Sequence, residues 1–259
     1  MWQLWTGKIR KRSQVLGTIQ RRKRLMKPKQ IGLFSGGKDS LVACHLMQDK
    51  LDGVLYCKTG IGLDENVAYV KDTCQTFGWK LEIVEPKKGE TYADFIRKFG
   101  FPHSGIHSSI MGYLKWHPMR KFARENPCTF VSGRRKKESR RRTLKLKSDT
   151  EHFPREKMSF YSPLYSWTTR DVFDYIKRFK LRLCPVYDTL HMSGDCLCGA
   201  FSESGEAELI ATFHSYMAER IKILEQTYGG RWGNQSSITG AMQQSKISSF
   251  VCAECINRQ

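Results

Sequence analysis

The first 29 residues contain no aspartate or glutamate, although Lys8, Arg10, Lys11, Arg12, the run from Arg21 to Arg24, Lys27 and Lys29 fall among them. A stretch so short of countercharge does not fold on itself, so it lies on a partner or stays mobile, with Trp2 and Trp5 available for stacking. Acids are scarce throughout: 25 against 44 Lys and Arg give a net charge of +19. That excess goes beyond solubility and points to a polyanionic partner bound in a salt-sensitive way. No apolar run reaches the length of a membrane span, Met1-Trp2-Gln3-Leu4-Trp5 opens no signal-like hydrophobic region, and no internal repeat occurs. A cytoplasmic protein without membrane contact is expected. Nine cysteines, an odd number, argue against a disulfide framework. They fit a reducing compartment in which some are buried and others ligate metal.

What is present is an alternation. Strand patterns at 30–34, 53–57, 80–84 and 129–132 are interleaved with helical periods at 39–48, 66–77, 92–99, 120–125 and 168–179. Thr168 stands in capping-box register with Asp171 at the head of the last. Such alternation predicts an α/β fold, a doubly wound, mostly parallel sheet with helices on both faces. The pattern changes after Pro185, where a Cys/Gly turn precedes one long helix over 203–226 and a Gly/Ser/Gln-rich tail. Three segments are expected: a basic arm at 1–29, an α/β nucleotide-binding domain at 30–182, and an extension at 183–259 that carries cysteines rather than a core of its own.

Ser35-Gly36-Gly37-Lys38-Asp39-Ser40 directly follows the apolar run Ile31-Gly32-Leu33-Phe34. Two glycines allow close approach of backbone to an anion, the next helix offers unpaired N–H groups, and Lys38 adds a cation. The spacing from Gly32 to Gly37-Lys38 nearly fits a Walker loop, but Asp39 stands where that loop needs Ser or Thr for magnesium. In a doubly wound sheet this turn falls at the carboxyl end of the first strand, where such sheets bind ligands.

The hexapeptide resembles the PP-loop of the adenine-nucleotide alpha-hydrolase superfamily, whose members grip pyrophosphate and activate substrates by adenylation. Further segments resemble the phosphoadenosine phosphosulfate (PAPS) reductase family in order and spacing. They are Thr59-Gly60 with Asp64-Glu65-Asn66, Gly100-Phe101-Pro102 with Leu114-Lys115 and Pro118, Ser132-Gly133-Arg134 with Glu138-Ser139 and Arg142, Pro163-Leu164 with Trp167, and Cys184-Pro185-Val186-Tyr187-Asp188. The E-C-G-x-H segment of assimilatory PAPS reductases is missing. The resemblance therefore implies the sulfur-transfer branch, which pairs a PP-loop with clustered cysteines and includes proteins of tRNA thiolation and DNA phosphorothioation.

On this resemblance ATP with Mg²⁺ is the expected cofactor, bound by Ser35, Gly36, Gly37, Lys38, Asp39, Ser40, Thr59, Gly60, Gly133 and Arg134. Lys38, Asp39 and Arg134 are the catalytic candidates. Asp39 holds Mg²⁺ or caps the helix, and Arg134 suits bidentate contact with phosphate or sulfate. The dense run from Arg134 to Arg142, continued by Lys145 and Lys147, suits a loop facing nucleic acid, tRNA or DNA. Cys196-Leu-Cys198 and Cys252-Ala-Glu-Cys255 form two close pairs that suit one four-thiolate centre, a [4Fe–4S] cluster or zinc, with Cys184 or His191 as substitute ligands. Cys44, Cys57, Cys74 and Cys128 read as core residues. A sulfur-donor protein and a homo-oligomer are compatible with this picture. Two other readings stand beside the sulfur-transfer enzyme: a PAPS or adenylylsulfate reductase, and a non-catalytic nucleotide sensor that binds nucleic acid.

Overall fold

A computed structural model describes residues 28–233. The first half contains β1 (Lys29–Leu33), α1 (Lys38–Leu46), β2 (Gly53–Cys57), α2 (Asp64–Thr76), β3 (Leu81–Val84) and α3 (Tyr92–Phe99). Next, α4 (His107–Met111) runs through a π-helical turn at Gly112–Trp116 into α5 (His117–Glu125), followed by β4 (Cys128–Val131) and α6 (Arg140–Lys145). The remainder holds β5 (Thr150–Phe153), β6 (Met158–Tyr161), α7 (Thr169–Phe179), α8 (Tyr187–Leu190), α9 (Glu206–Phe213) and α10 (Ser215–Tyr228).

The six strands form one sheet in the order β3-β2-β1-β4-β6-β5. All neighbours are parallel except the β5–β6 pair. Gly32 of β1 stands between Val54 of β2 and Val131 of β4, so the turn after β1 leaves the middle of the sheet. β2 is buried at every position, and its side chains alternate between two apolar layers. Val54 and Tyr56 join Leu41 of α1, Val70 of α2, Phe95 of α3 and Val172 of α7; Leu55 and Cys57 join Met119 and Ala123 of α5 with Phe130 and Phe160. Helices thus cover both faces of a doubly wound, mostly parallel sheet. Cys44, Cys57, Cys74 and Cys128 are buried in these layers. The described residues after 183 do not stand apart, since Cys184, Ile210, Ile221 and Trp232 belong to the first layer.

The expected capping box at Thr168 is formed: its hydroxyl accepts from Asp171 N at 3.2 Å while Asp171 Oδ2 accepts from Thr168 N at 2.7 Å. The single helix expected over 203–226 is instead two, because His214 leaves helical geometry at φ −135° and ψ 55°. Its ring is held between Glu65 Oε1 at 3.0 Å and Thr189 Oγ1 at 2.9 Å, and these bonds fix the break between α9 and α10. The β5–β6 hairpin has no counterpart in the sequence reading. Its strands are four residues long and of mixed polarity, and its turn over 154–157 depends on Lys157 at φ 54°. The basic arm as far as residue 27, with Trp2 and Trp5, lies outside the described residues, as do Cys252 and Cys255.

Candidate functional site

The turn after β1 is built around two glycines. Gly36 has φ +81°, and a Cβ there would lie 2.0 Å from Asn66 Oδ1. Gly37 occupies the N-cap of α1 without any side-chain cap bond. Ser40 folds back beneath the loop, accepting from Ser35 N at 3.2 Å and donating to Gly37 O at 2.8 Å. Asn66, at the start of α2, is completely buried and donates to Ser35 O at 3.1 Å. Lys38 N donates to the Tyr187 hydroxyl at 3.1 Å, which joins the turn to the segment at α8.

The chain following β4 forms the opposite wall. A Cβ on Gly133 would lie 2.5 Å from Asp39 C and O and 2.6 Å from Ser40 N, so this backbone rests directly on the first turn of α1. Arg134 is aimed by Nε donating to Ser132 Oγ at 3.0 Å, by its guanidinium stacking 4.7 Å from the Phe160 ring centroid, and by an ion pair to Glu151 at 2.7 Å. Its Nη2 is buried with no hydrogen-bond partner among the described residues. Burial lowers the Arg134 pKa, with Glu151 acting in the opposite direction.

Arg135 is 2 % exposed and donates to Asp39 Oδ1 at 2.8 Å, while Lys38 Nζ lies 3.3 Å from Asp39 Oδ2. Asp39 therefore does not cap α1. Gly37 occupies the cap, and the carboxylate is held between two cations. Arg135 was indistinguishable in sequence from its neighbours in the basic run, because only the fold shows which guanidinium turns inward.

These walls enclose a cleft of about 1000 Å³ at the carboxyl end of the sheet. Ser35, Gly37, Asp39 and Ser40 line one side, and Gly133 and Arg134 border it. Leu55, Cys57, Trp116 and Phe160 contribute an apolar floor. Arg142 and Lys145 stand along the rim, together with His107, and Glu151 and Asp195 also face the cavity. Thr59 and Gly60 do not line it. Thr59 is buried with its hydroxyl bonded to Asp195 O at 2.9 Å, whereas Gly60 turns outward at φ +76° with open space around it.

The Cys196-Leu197-Cys198 turn is hooked onto the loop after β2. Leu63 N donates to Gly194 O at 2.9 Å and Leu197 N to Ile61 O at 2.8 Å. A Cβ on Gly62 would lie 2.4 Å from Asp195 O. Lys115, on the π-helical turn, forms a close ion pair with Asp195. Burial opposes its charge, but Asp195 and the neighbouring Cys196 outweigh that and hold its pKa above the ordinary lysine value. Cys196 and Cys198 interact with each other, which lowers the pKa of Cys198 and raises that of Cys196. Cys184 points elsewhere, its Sγ 3.8 Å from Ser193 O. Among the described residues no three His, Cys, Asp or Glu side chains gather as metal ligands, so neither Cys184 nor His191 completes a site with Cys196 and Cys198.

The family model of the phosphoadenosine phosphosulfate reductase domain matches residues 29–200. The chain belongs to that family. The matched span begins with β1 and ends just past Cys198, so it contains the PP-loop, Arg134 and the first cysteine pair. No curated protein matches the chain. Similar solved structures include a PAPS reductase from Candida auris in a phosphate complex, 18% identical with TM-score 0.48 over 66% of this chain and 82% of that one. A predicted subunit of tRNA methyltransferase from Methanocaldococcus jannaschii is 16% identical with TM-score 0.39, over 59% and 74%. An NH3-dependent NAD synthetase from Campylobacter jejuni in complex with nitrate is 15% identical with TM-score 0.44, over 90% and 92%. No helix among the described residues is long and apolar enough to cross a membrane.

Proposed function

We propose that the protein is an ATP-dependent, adenylating sulfur-transfer enzyme acting on nucleic acid. The observation that carries this reading is the pairing of an open glycine turn at a helix N-terminus with Arg134, whose Nη2 is buried and unused, in one cleft. Backbone N–H groups and a guanidinium on facing walls suit a polyphosphate whose charge shifts as pyrophosphate leaves. Ser35, Gly36, Gly37, Lys38 and Ser40 would hold the β- and γ-phosphates, with Gly133 and Arg134 across from them. ATP would bring Mg²⁺, and the ligand from this chain would be Asp39 Oδ2, the oxygen not fixed by buried Arg135. Thr59 acts in this reading by supporting the wall from behind, through its bond to Asp195 O. Arg142 and Lys145 on the rim, with the acid-free arm, would guide a nucleic-acid backbone toward the cleft.

Cys196 and Cys198 offer two adjacent sulfurs, which fits half of a four-thiolate site. With Cys252 and Cys255 they would hold a [4Fe–4S] cluster, zinc being the competing occupant. A cluster would carry or deliver sulfur, whereas zinc would brace the turn. The family match itself favours a second reading, reduction of a sulfonucleotide. Anaerobically purified full-length protein with ATP, Mg²⁺, a sulfide source and either tRNA or duplex DNA tests the first. Pyrophosphate release that needs nucleic acid, with sulfur recovered in the nucleic acid, is expected. Sulfite release from PAPS in place of both supports the reductase instead.

A further inference from the structure

Asp195 is the residue before Cys196, and its side chain is 10 % exposed. One carboxylate oxygen, Oδ2, is paired with Lys115; the other, Oδ1, is buried with no hydrogen-bond partner among the described residues. A buried carboxylate oxygen without a donor is costly and rare, so a group beyond the described residues supplies one. Asp195 and Lys115 both line the cleft, which makes the cleft the source of that donor. The backbone carrying the carboxylate is held from behind by the Thr59 hydroxyl and by the flanking bonds at Gly194 and Leu197. The oxygen therefore has little freedom to turn away and find a partner within the protein.

The charge balance at this end decides the type of donor. Lys115 neutralises Asp195, so an anion gains nothing here, whereas the PP-loop wall sets three cations, Lys38, Arg134 and Arg135, against two carboxylates, Asp39 and Glu151. An uncharged N–H or O–H suits an acceptor in such a pair. We propose that Asp195 is a nucleoside-recognition residue whose Oδ1 accepts a hydrogen bond from a ribose hydroxyl or an exocyclic amine of the nucleotide in the cleft. This rests on the nucleotide reading above and adds the group that recognises the uncharged part of the ligand. Because Asp195 adjoins Cys196, the same bond ties nucleotide occupancy to the cysteine turn.

The test is calorimetry of the full-length chain with Mg²⁺ and four ligands: ATP, 2′-deoxy-ATP, 3′-deoxy-ATP and inosine triphosphate. Wild type should bind at least one analogue roughly tenfold more weakly than ATP. Loss with a deoxy analogue assigns the hydroxyl, and loss with inosine triphosphate assigns the amine. Asp195→Ala should reduce the difference to about twofold or less, whereas Arg134→Gln should weaken all four ligands in parallel and preserve it. Should Asp195→Ala fail to fold, Asp195→Asn keeps the shape without the charge, and the difference should shrink by about threefold or more. Wild type that binds all four ligands alike overturns the proposal and leaves Oδ1 to a trapped water, as does Asp195→Ala that discriminates like wild type. If wild type binds none of the four, the nucleotide reading falls, and this assignment falls with it.

Discussion

The two rims of the cleft are built to opposite specifications. The phosphate rim, formed by the β1–α1 turn and the chain after β4, is packed backbone against backbone, and what it leaves unused is a donor, Arg134 Nη2. The thiol rim, formed by the loop after β2 and residues 193–198, has a neutralised ion pair and leaves an acceptor, Asp195 Oδ1. One rim is complementary to an anion and the other to a neutral donor. The comparison also separates what must be glycine from what merely is. On the phosphate rim the space at Gly133 is filled by backbone, while at Gly60, beside the other rim, nothing lies within 4 Å.

That difference gives the largest expected effect. Gly133→Ala should cost about 3 kcal/mol of stability, because the Cβ meets the Asp39 carbonyl and Ser40 N, which cannot rotate away. Gly60→Ala should cost only about 1–2 kcal/mol, from its left-handed φ of +76°. Urea midpoints for both variants measure the gap. Equal midpoints would mean that the phosphate rim is looser than its contacts indicate.

Next is the charge behind that rim. Arg135→Met leaves Asp39 without its buried partner and should cost about 2–3 kcal/mol, less than a fully buried pair because the Asp39 side chain is 19% exposed. Adding Asp39→Asn should recover part of the loss. A double variant no more stable than the single one would show that Arg135 acts through Trp167 O and Thr169 Oγ1, its longer contacts at 3.5 and 3.4 Å, instead of through the charge. Lys38→Ala, on the same loop, should weaken ATP by about 1.5–3 kcal/mol with little change in stability. A variant that binds like wild type would take Lys38 out of the site.

Much of this arrangement was legible in the sequence, but unevenly. The glycine turn could be read because φ > 0 and close backbone approach demand that residue type, and the parallel core strands because burial on both faces leaves an unbroken apolar run at 53–57. The β5–β6 hairpin could not, since an edge pair of four-residue strands is defined by its partners more than by its composition. Asp195 went unseen, and Asn66 and Arg135 were noted without their roles, for a related reason. Each matters through a contact more than thirty residues away: Asp195 with Lys115, Asn66 with Ser35, Arg135 with Asp39. A polar residue carries no mark of its distant partner. Cys196 and Cys198 were legible as a pair, but the loop after β2 that holds them was not.

The smallest predicted effect asks whether the acid–base behaviour of stability comes from the rims or from the layer behind them. Glu206 opens α9, and burial raises its carboxyl from 4.5 to about 7, although the bond accepted from Glu203 N works in the other direction. The folded chain therefore keeps a proton that the unfolded chain releases. Between the two values the native state binds more protons, so this group makes stability fall as pH rises from 4.5 to about 7, after which its contribution is constant. Glu206→Gln cannot ionise and should lose that slope. The variant should melt roughly 2–5 °C above wild type at pH 8 and approach it at pH 5, as read from thermal unfolding across the range. Parallel curves would place the pH response on the rims, with Glu206 solvated well enough to ionise normally.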